Sequence, residues 1–140
     1  MSHYTEFFIN GQWVQPKGDQ MLDVINPANE EVAATIALGN KEDVDLAVEA
    51  ARNAFETYSQ TSREERIALL EKIIAVMTKR QPDLAKAISI EMGAPAKLAK
   101  TAQAPSGIGH FAAALEALKE FEFEEEIGTT LVVKEPIGVC

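Results

Sequence analysis

The sequence predicts a mixed α/β fold in which short strands stand at both ends of a helix-rich middle. Three observations support this prediction: an Asn-Gly turn between two short apolar runs, apolar spacing of three and four after residue 40, and a β-branched run at 129–134. Period-two patterns line one face of a strand, whereas a period near 3.6 lines one face of a helix. At 140 residues, the chain has the size of one domain or a large piece of one.

The first element is a hairpin centred on Asn10 and Gly11. These two residue types adopt positive φ at low cost, as a two-residue type I′ turn requires, so 7–9 should pair with 12–15. The expected buried face consists of Phe7, Ile9, Trp13 and Val14. A lone hairpin is marginally stable in water, so Trp13 is predicted to anchor it by packing.

A second pair of strands is predicted at 22–25 and 32–38. Both segments are rich in apolar and β-branched residues. They are separated by the polar cluster NPANEE, which Pro27 opens and which is typical of a turn.

The first helix is predicted over 41–58. Its apolar stripe is formed by Val44, Ala47, Val48, Ala51, Phe55 and Tyr58. Asn40 is placed to cap the first turn, and the charge of Asp43 suits the positive end of the helix dipole.

A second helix begins at 61 or 62 and ends near Arg80. Ser62 and Glu65 have the spacing of a capping box. The apolar stripe is formed by Ile67, Leu70, Ile73, Ile74 and Met77. We expect the stripes of the first two helices to bury some area against each other.

The later helices are marked by proline and glycine. Pro82 suits the first position of a third helix, and Gly93 suits its end. A helical segment at 97–103 is expected to be interrupted at Pro105, Gly107 and Gly109 and to resume as HFAAALEALKEF. A strand follows at 129–134, and the apolar residues 137–140 are expected to begin a buried element.

Composition excludes several classes of partner. The net charge is −9, from 13 basic and 22 acidic residues, and it repels nucleic acid and anionic lipid. No apolar stretch is long enough to cross a bilayer, and the first residues lack the pattern of a secretory leader. A single cysteine does not suggest an oxidising compartment, so a cytoplasmic protein without nucleic-acid or membrane partners is predicted.

Four candidate sites are weak when judged by chemistry alone. Gly107, Gly109 and Ala112 match G-x-G-x-x-A, but no strand precedes them to form a dinucleotide site, so a closely packed helix start is favoured. Cys140 has no visible base beside it, and a buried structural thiol is favoured. A metal pair of His3 and His110 lacks ligand spacing. The acidic run 120–126 lacks the pattern of a calcium loop and is interpreted as a solvated face.

Five blocks of the sequence together resemble a known family. They are FINGQWV, VINPANEEVAATIALGNKEDVDLAVEAARNAF, SREERIALLEKIIAVM, DLAKAISIEMGAP and KEPIGVC. In this order they resemble the N-terminal portion of the NAD(P)-dependent aldehyde dehydrogenase superfamily. The resemblance implies N-terminal β-hairpins and flanking helices of a Rossmann-like cofactor domain that is incomplete in this chain. It assigns 1–128 to that domain and 129–140 to the start of the oligomerisation arm, with the catalytic domain absent.

The resemblance also implies the chemistry of the longer protein. Members use a cysteine thiolate, a glutamate-activated water and bound NAD or NADP to oxidise an aldehyde, and they form homo-oligomers. In the family the nucleophile stands in a G-Q-x-C setting, whereas Cys140 stands in EPIGVC. No catalytic or cofactor-binding residue is therefore assigned here, and the chain alone is expected to be inactive and not to bind the cofactor tightly.

One site of the family has matching positions in this chain. Some members hold a structural monovalent cation, and the positions corresponding to two of its ligands are the Val24 carbonyl and the Glu91 side chain; the alternative for Glu91 is a solvated carboxylate at a helix end. Two other functions stay open: a non-enzymatic helical interaction module, and an acylating relative that transfers the acyl group to coenzyme A.

Overall fold

The computed structural model describes residues 4–140. The strands are β1 (Phe7–Ile9), β2 (Gln12–Val14), β3 (Met21–Asn26), β4 (Glu31–Ala37), β5 (Glu124–Ile127) and β6 (Thr130–Val133). The helices are α1 (Lys41–Tyr58), α2 (Arg63–Lys79), α3 (Gln81–Met92), α4 (Ala96–Leu98) and α5 (Ala104–Glu120), with a π-helical turn, Ala99–Gln103, between the last two. The predicted mixed fold with strands at both ends is confirmed.

Within residues 4–140, the strands form three separate antiparallel hairpins, β1-β2, β3-β4 and β5-β6. The first has the predicted turn, with φ of 51° at Asn10 and 76° at Gly11. Its register pairs Phe8 with Trp13, so these two side chains share a face, and their ring centroids lie 5.2 Å apart. The prediction that Trp13 shares a buried face with Phe7 and Ile9 was wrong. Its side chain lies on the other face of the hairpin and is 49% exposed.

The β3-β4 hairpin contains a bulge beside Val24. Val24 pairs with Ala34 and Ile25 pairs with Val32, so Ala33 is an extra residue on β4. A bulge leaves its extra residue unpaired and disrupts the local ladder of hydrogen bonds. The regular backbone bonding is therefore interrupted next to one of the two candidate cation ligands.

Helix α1 has the predicted bounds and cap. The Asn40 side chain accepts bonds from the backbone N–H groups of Glu42 and Asp43. Asp43 is only 4% exposed, and its carboxylate accepts the backbone N–H groups of Asn40 and Lys17, each at 2.9 Å. The carboxylate thus joins the start of the helix to the segment that follows β2.

The helices pack differently from the expected arrangement. Helix α1 contacts β1, whereas α2 packs mainly against α5. The prediction that α1 and α2 bury their apolar stripes against each other was therefore wrong. The buried cluster consists of the small residues Ala85, Ala99 and Ala104, with Ile88 and Ala94 partly buried around it. The centre of the helical layer thus lies where α3 meets the π-turn.

The expected interruption at Pro105 does not occur. The helical path continues from α4 through the π-turn into α5, and the Ala104 N–H bonds to the Ala99 carbonyl five residues back. In a regular helix, a proline ring collides with the carbonyl four residues before it. The wider π-turn relieves this collision, so Pro105 is accommodated in the first turn of α5.

Part of the acidic run is a strand, which sequence patterning did not predict. Three of the four β5 residues are glutamates. Strand β5 pairs with β6, which is rich in β-branched residues, across a turn at Gly128, where φ is 63°. All four β5 residues are exposed, which agrees with the interpretation of this run as a solvated face. Glutamate disfavours strands, so the partner strand and the turn override its local preference.

Gly93 ends α3 in the left-handed conformation, as predicted, with φ of 67°. A Cβ there would lie 2.8 Å from Pro27 Cγ. We therefore expect Gly93→Ala to destabilise the chain by about 2 to 3 kcal/mol, from backbone strain and this collision. Urea unfolding followed by far-ultraviolet circular dichroism measures the change.

The matched control for this change is Gly109→Ala. Gly109 lies within α5, and a Cβ there meets no atom within 4 Å. That substitution should stabilise the helix by about 0.5 to 1 kcal/mol, because alanine restricts the unfolded backbone more than glycine does. Equal effects of the two substitutions would contradict the role assigned to Gly93.

The chain exposes far more surface than a compact domain of its size. Its accessible surface is 10613 Å², whereas a folded monomer of 15.2 kDa should expose roughly 7,100 Å². Among the described residues, no large side chain is fully buried. Residues 137–140 form no helix or strand, and Ile137 is 91% exposed, so the expected buried element is not formed within the described chain.

Candidate functional site

Val24 lies on β3, and Glu91 lies near the end of α3. Helix α3 packs against β3, and a cavity of about 300 Å³ lies between α3 and β4, with Glu91 and Ala34 both in its lining. Ala34 is the cross-strand partner of Val24, which is not itself in the lining. Val24 is therefore one strand away from a residue that lines the same cavity as Glu91.

The cavity beside Glu91 is only partly suited to a cation. Glu91 is exposed, Val24 is half-buried, and Asp83 and Lys86 also line the space. Carboxylate and carbonyl oxygens are the ligands that hard cations prefer. Across residues 4–140, no group of three or more His, Cys, Asp or Glu side chains is arranged to hold a metal ion. These two oxygens would therefore supply only part of a coordination shell.

The G-x-G-x-x-A residues lie inside α5. Their backbone N–H groups belong to the helical ladder, whereas a pyrophosphate is held by free N–H groups at a strand-to-helix turn. Gly107 lies close to α2: a Cβ there would stand 3.6 Å from Met77 Cε. Close helix packing, the interpretation favoured from the sequence, agrees with this position.

Cys140 is exposed, so the interpretation as a buried thiol was wrong. Its Sγ lies 3.8 Å from the Gly138 carbonyl oxygen. The physical reason is that the final segment is not covered by another element of the described chain. His110 is exposed on α5, and His3 lies outside the described residues.

A basic groove lies between the start of α2 and the β5-β6 hairpin. We define it by Arg63, Arg66 and Lys134, which line a cavity of about 430 Å³. This groove was not predicted from the sequence, because Lys134 is far from the two arginines along the chain. The i, i+3 spacing of Arg63 and Arg66 was the one available clue, since it places both on one side of a helix.

The basic groove lies next to the C-terminal end of α5. Arg63 donates to the backbone carbonyls of Lys119 and Phe121. A hydrogen bond from Lys119 Nζ to Glu116, at 2.7 Å, raises the pKa of Lys119 above its ordinary value. Cationic groups near a helix C-terminus interact favourably with its dipole, so these contacts stabilise the end of α5.

A large apolar surface remains uncovered on α1. Val44 and Tyr58 are exposed on this helix, although both belong to its predicted stripe. Between these two positions, Val48 and Phe55 line a groove of about 770 Å³ together with residues 137–140. Exposed apolar patches mark either docking surfaces or sites of aggregation.

Across residues 4–140, no helix combines the length and the apolar character that crossing a bilayer requires.

Comparison with protein families gives a match over nearly the whole chain. Residues 13–140 match the model of the aldehyde dehydrogenase family. A 3-succinoylsemialdehyde-pyridine dehydrogenase from a Pseudomonas species is 51% identical over all of this chain, which corresponds to 30% of that relative. The chain thus spans less than a third of this curated relative.

Solved structures agree in fold. An aldehyde dehydrogenase C variant from Pseudomonas syringae, in complex with NAD⁺ and octanal, superposes with a TM-score of 0.93 at 39% identity, over 96% of this chain and 28% of that one. An aldehyde dehydrogenase from Mycobacterium tuberculosis, complexed with NAD⁺, gives 0.87 at 27% identity, over 95% and 29%. The hairpins and helices described above therefore correspond to a part of a larger fold.

Proposed function

The chain belongs to the aldehyde dehydrogenase family, and we propose that it acts as the N-terminal scaffold of an enzyme that oxidises an aldehyde to a carboxylic acid with NAD or NADP. The observation that carries this proposal is the excess exposed surface of a chain that matches under a third of its relatives. Three isolated hairpins and half-covered helices are the parts expected of a flank that packs on a larger sheet.

The role proposed for each part of the chain follows from the family resemblance. Residues 1–128 contribute hairpins and flanking helices to the cofactor domain, and 129–140 begin the arm that joins subunits into a homo-oligomer. The β5-β6 hairpin, which begins at Glu124, spans the proposed boundary between the two parts. The catalytic cysteine, the glutamate and the main cofactor contacts come from polypeptide outside these residues, and the whole enzyme works in the cytoplasm.

A chimera tests the scaffold role. The first 30% or so of the Pseudomonas dehydrogenase, which this chain matches at 51% identity, is replaced by residues 1–140. We expect a folded chimera that binds NAD⁺ and keeps most of the parent activity, because buried faces tolerate hydrophobic substitutions that conserve volume and pattern. Reduced cofactor formation and cofactor binding are measured beside the parent enzyme.

The control for the chimera is the Pseudomonas enzyme without its matching segment, which should be inactive. A chimera that folds, judged by circular dichroism, but fails to bind NAD⁺ would refute the scaffold role. It would favour the interaction module instead, whose docking surface would be the exposed stripe of α1.

We also propose that the Val24 carbonyl and the Glu91 side chain contribute to a structural site for a monovalent cation. Two observations support this assignment: Ala34, the cross-strand partner of Val24, lines the same cavity as Glu91, and a bulge lies beside Val24. The remaining ligands would come from outside residues 1–140, so the chimera is the protein to test.

The cation site predicts a sodium-dependent gain in stability. The melting temperature of the chimera should be higher in sodium chloride than in choline chloride at equal ionic strength, since a ligand that binds only the folded state stabilises it. Glu91→Gln should abolish this increment. Glu49→Gln removes another exposed glutamate and should keep it; loss of the increment in both variants, or in neither, would contradict the site.

A further inference from the structure

We propose that the basic groove binds a phosphate group, either as inorganic phosphate or as the head of a phosphomonoester. The groove is the cavity of about 430 Å³ lined by Arg63, Arg66 and Lys134. Its position between α2 and β5-β6 involves neither the candidate cation ligands nor Cys140. Lys134 belongs to the segment proposed to begin the oligomerisation arm, so the inference rests on the proposed function only in requiring that the groove stays open beside that arm.

Hydrogen bonds place the three cations close together. Arg63 binds the carbonyl of Phe121, and Lys134 Nζ binds the carbonyl of the next residue, Glu122, at 3.0 Å. Arg66 lies one turn after Arg63 on α2, the spacing at which helical side chains are neighbours. Two arginines of α2 and the lysine that follows β6 thus line one cavity, and such charges repel one another unless an anion lies between them.

The three cations have no carboxylate partner within 4 Å among the described residues. Their polar contacts are to neutral groups: Arg66 donates to Thr61 Oγ1 at 2.9 Å and to the Ser59 carbonyl at 3.3 Å. Guanidinium and ammonium groups carry more N–H donors than these contacts use. Spare donors remain for a ligand in the cavity.

Charge balance favours a dianion. The acidic side chain in the lining is Glu135, so three positive charges face one negative charge. A phosphate group carries about −1.5 to −2 at neutral pH and offers several acceptor oxygens. Arginine forks bind phosphate oxygens in pairs, and the larger charge of a phosphate group balances the lining better than a single carboxylate does.

Aromatic rings hold the cations in position. The Arg63 guanidinium lies 5.4 Å from the ring centroid of Phe123, and Lys134 Nζ lies 5.0 Å from that of Phe121. The two rings contact each other edge to face at 4.9 Å. Side chains fixed in this way lose less conformational freedom on binding, so the groove is preorganised for an anion.

Phosphorus NMR titration of the 140-residue chain with inorganic phosphate tests the proposal. We expect saturable line broadening, weakened roughly fivefold by Lys134→Met and by Arg63→Lys, since each removes about one charge-assisted contact. Glu135→Gln should tighten binding, because it removes the competing negative charge. Lys72→Met is the matched control: it removes a cation from the opposite side of the same helix and should change nothing.

A second titration, with phenyl phosphate, identifies the source of the phosphate group. Tighter binding than that of inorganic phosphate would assign the groove to a phosphomonoester, whereas equal binding would assign it to the free ion. Circular dichroism confirms that each variant keeps its helices. Broadening that does not saturate, or that Lys72→Met reduces as much as Lys134→Met does, would overturn the proposal.

Discussion

Incubated with NAD⁺ and octanal, the 140-residue chain should form no NADH above the buffer control. Oxidation of an aldehyde to an acid needs a thiol held beside a bound nicotinamide that accepts the hydride. Cys140 is exposed in a final segment that forms no helix or strand, so nothing in the described residues holds its thiol beside a cofactor. Gly107 and Gly109, the candidate dinucleotide glycines, lie within a helix and do not offer a phosphate cradle. Absorbance of NADH measures the result.

The chimera proposed above is the positive control for this experiment, because it provides the remaining polypeptide. Cys140→Ser provides the internal control and should leave both the inactive chain and the chimera unchanged. If the chain alone formed NADH, and Cys140→Ser abolished it, the assignment of this segment to a scaffold without catalytic residues would be wrong.

Asp43→Ala should produce the largest loss of local stability within the chain. The carboxylate is buried and accepts the backbone N–H groups of Lys17 and Asn40. Removing it leaves two donors unsatisfied, which should cost about 2 to 4 kcal/mol. Amide hydrogen exchange at Lys17 and Asn40 measures the effect locally, and protection there should fall at least roughly thirtyfold.

Two variants of the same helix control this measurement. Asp43→Asn keeps one acceptor oxygen and should lose about half as much free energy. Asp45→Ala removes an exposed carboxylate paired with Lys41 and should change stability by less than about 0.5 kcal/mol. Equal protection in Asp43→Ala and Asp45→Ala would show that the buried carboxylate does not join the helix to the segment after β2.

Features that depend on neighbouring residues were predictable from the sequence. The Asn10-Gly11 turn, the Asn40 cap, the capping box of Ser62 with Glu65, and the Gly93 stop are all present. Each is set by contacts within a few residues, so the local pattern determines the outcome. The bounds of α1 followed from the same kind of information.

Features that depend on distant residues were not predictable in this way. The sequence placed Asp43 in the first turn of α1, where its charge suits the helix dipole, but its bond to Lys17 joins residues 26 apart, and only the fold reveals it. The strand formed by the β5 glutamates depends on pairing with β6. The π-turn before Pro105 arises where α3 packs closely on Ala99 and Ala104.

The two candidate sites also differ in how far the sequence could predict them. The family resemblance supplied Val24 and Glu91, and the fold places Ala34, the cross-strand partner of Val24, in the lining of the cavity that also contains Glu91. The basic groove had no comparable pattern, because Lys134 reaches it only through the β5-β6 hairpin. Only folding brings Lys134 beside the two arginines.

The separation of the strands into hairpins between sequence neighbours has a consequence for biosynthesis. Each turn closes a short loop, and short loops form quickly because little chain entropy opposes them. The segment can therefore acquire its hairpins and first helices early, without contacts to distant residues. In the proposed scaffold, the exposed apolar stripe of α1 stays uncovered until the polypeptide that packs on it has been made, so aggregation is most favoured in this interval.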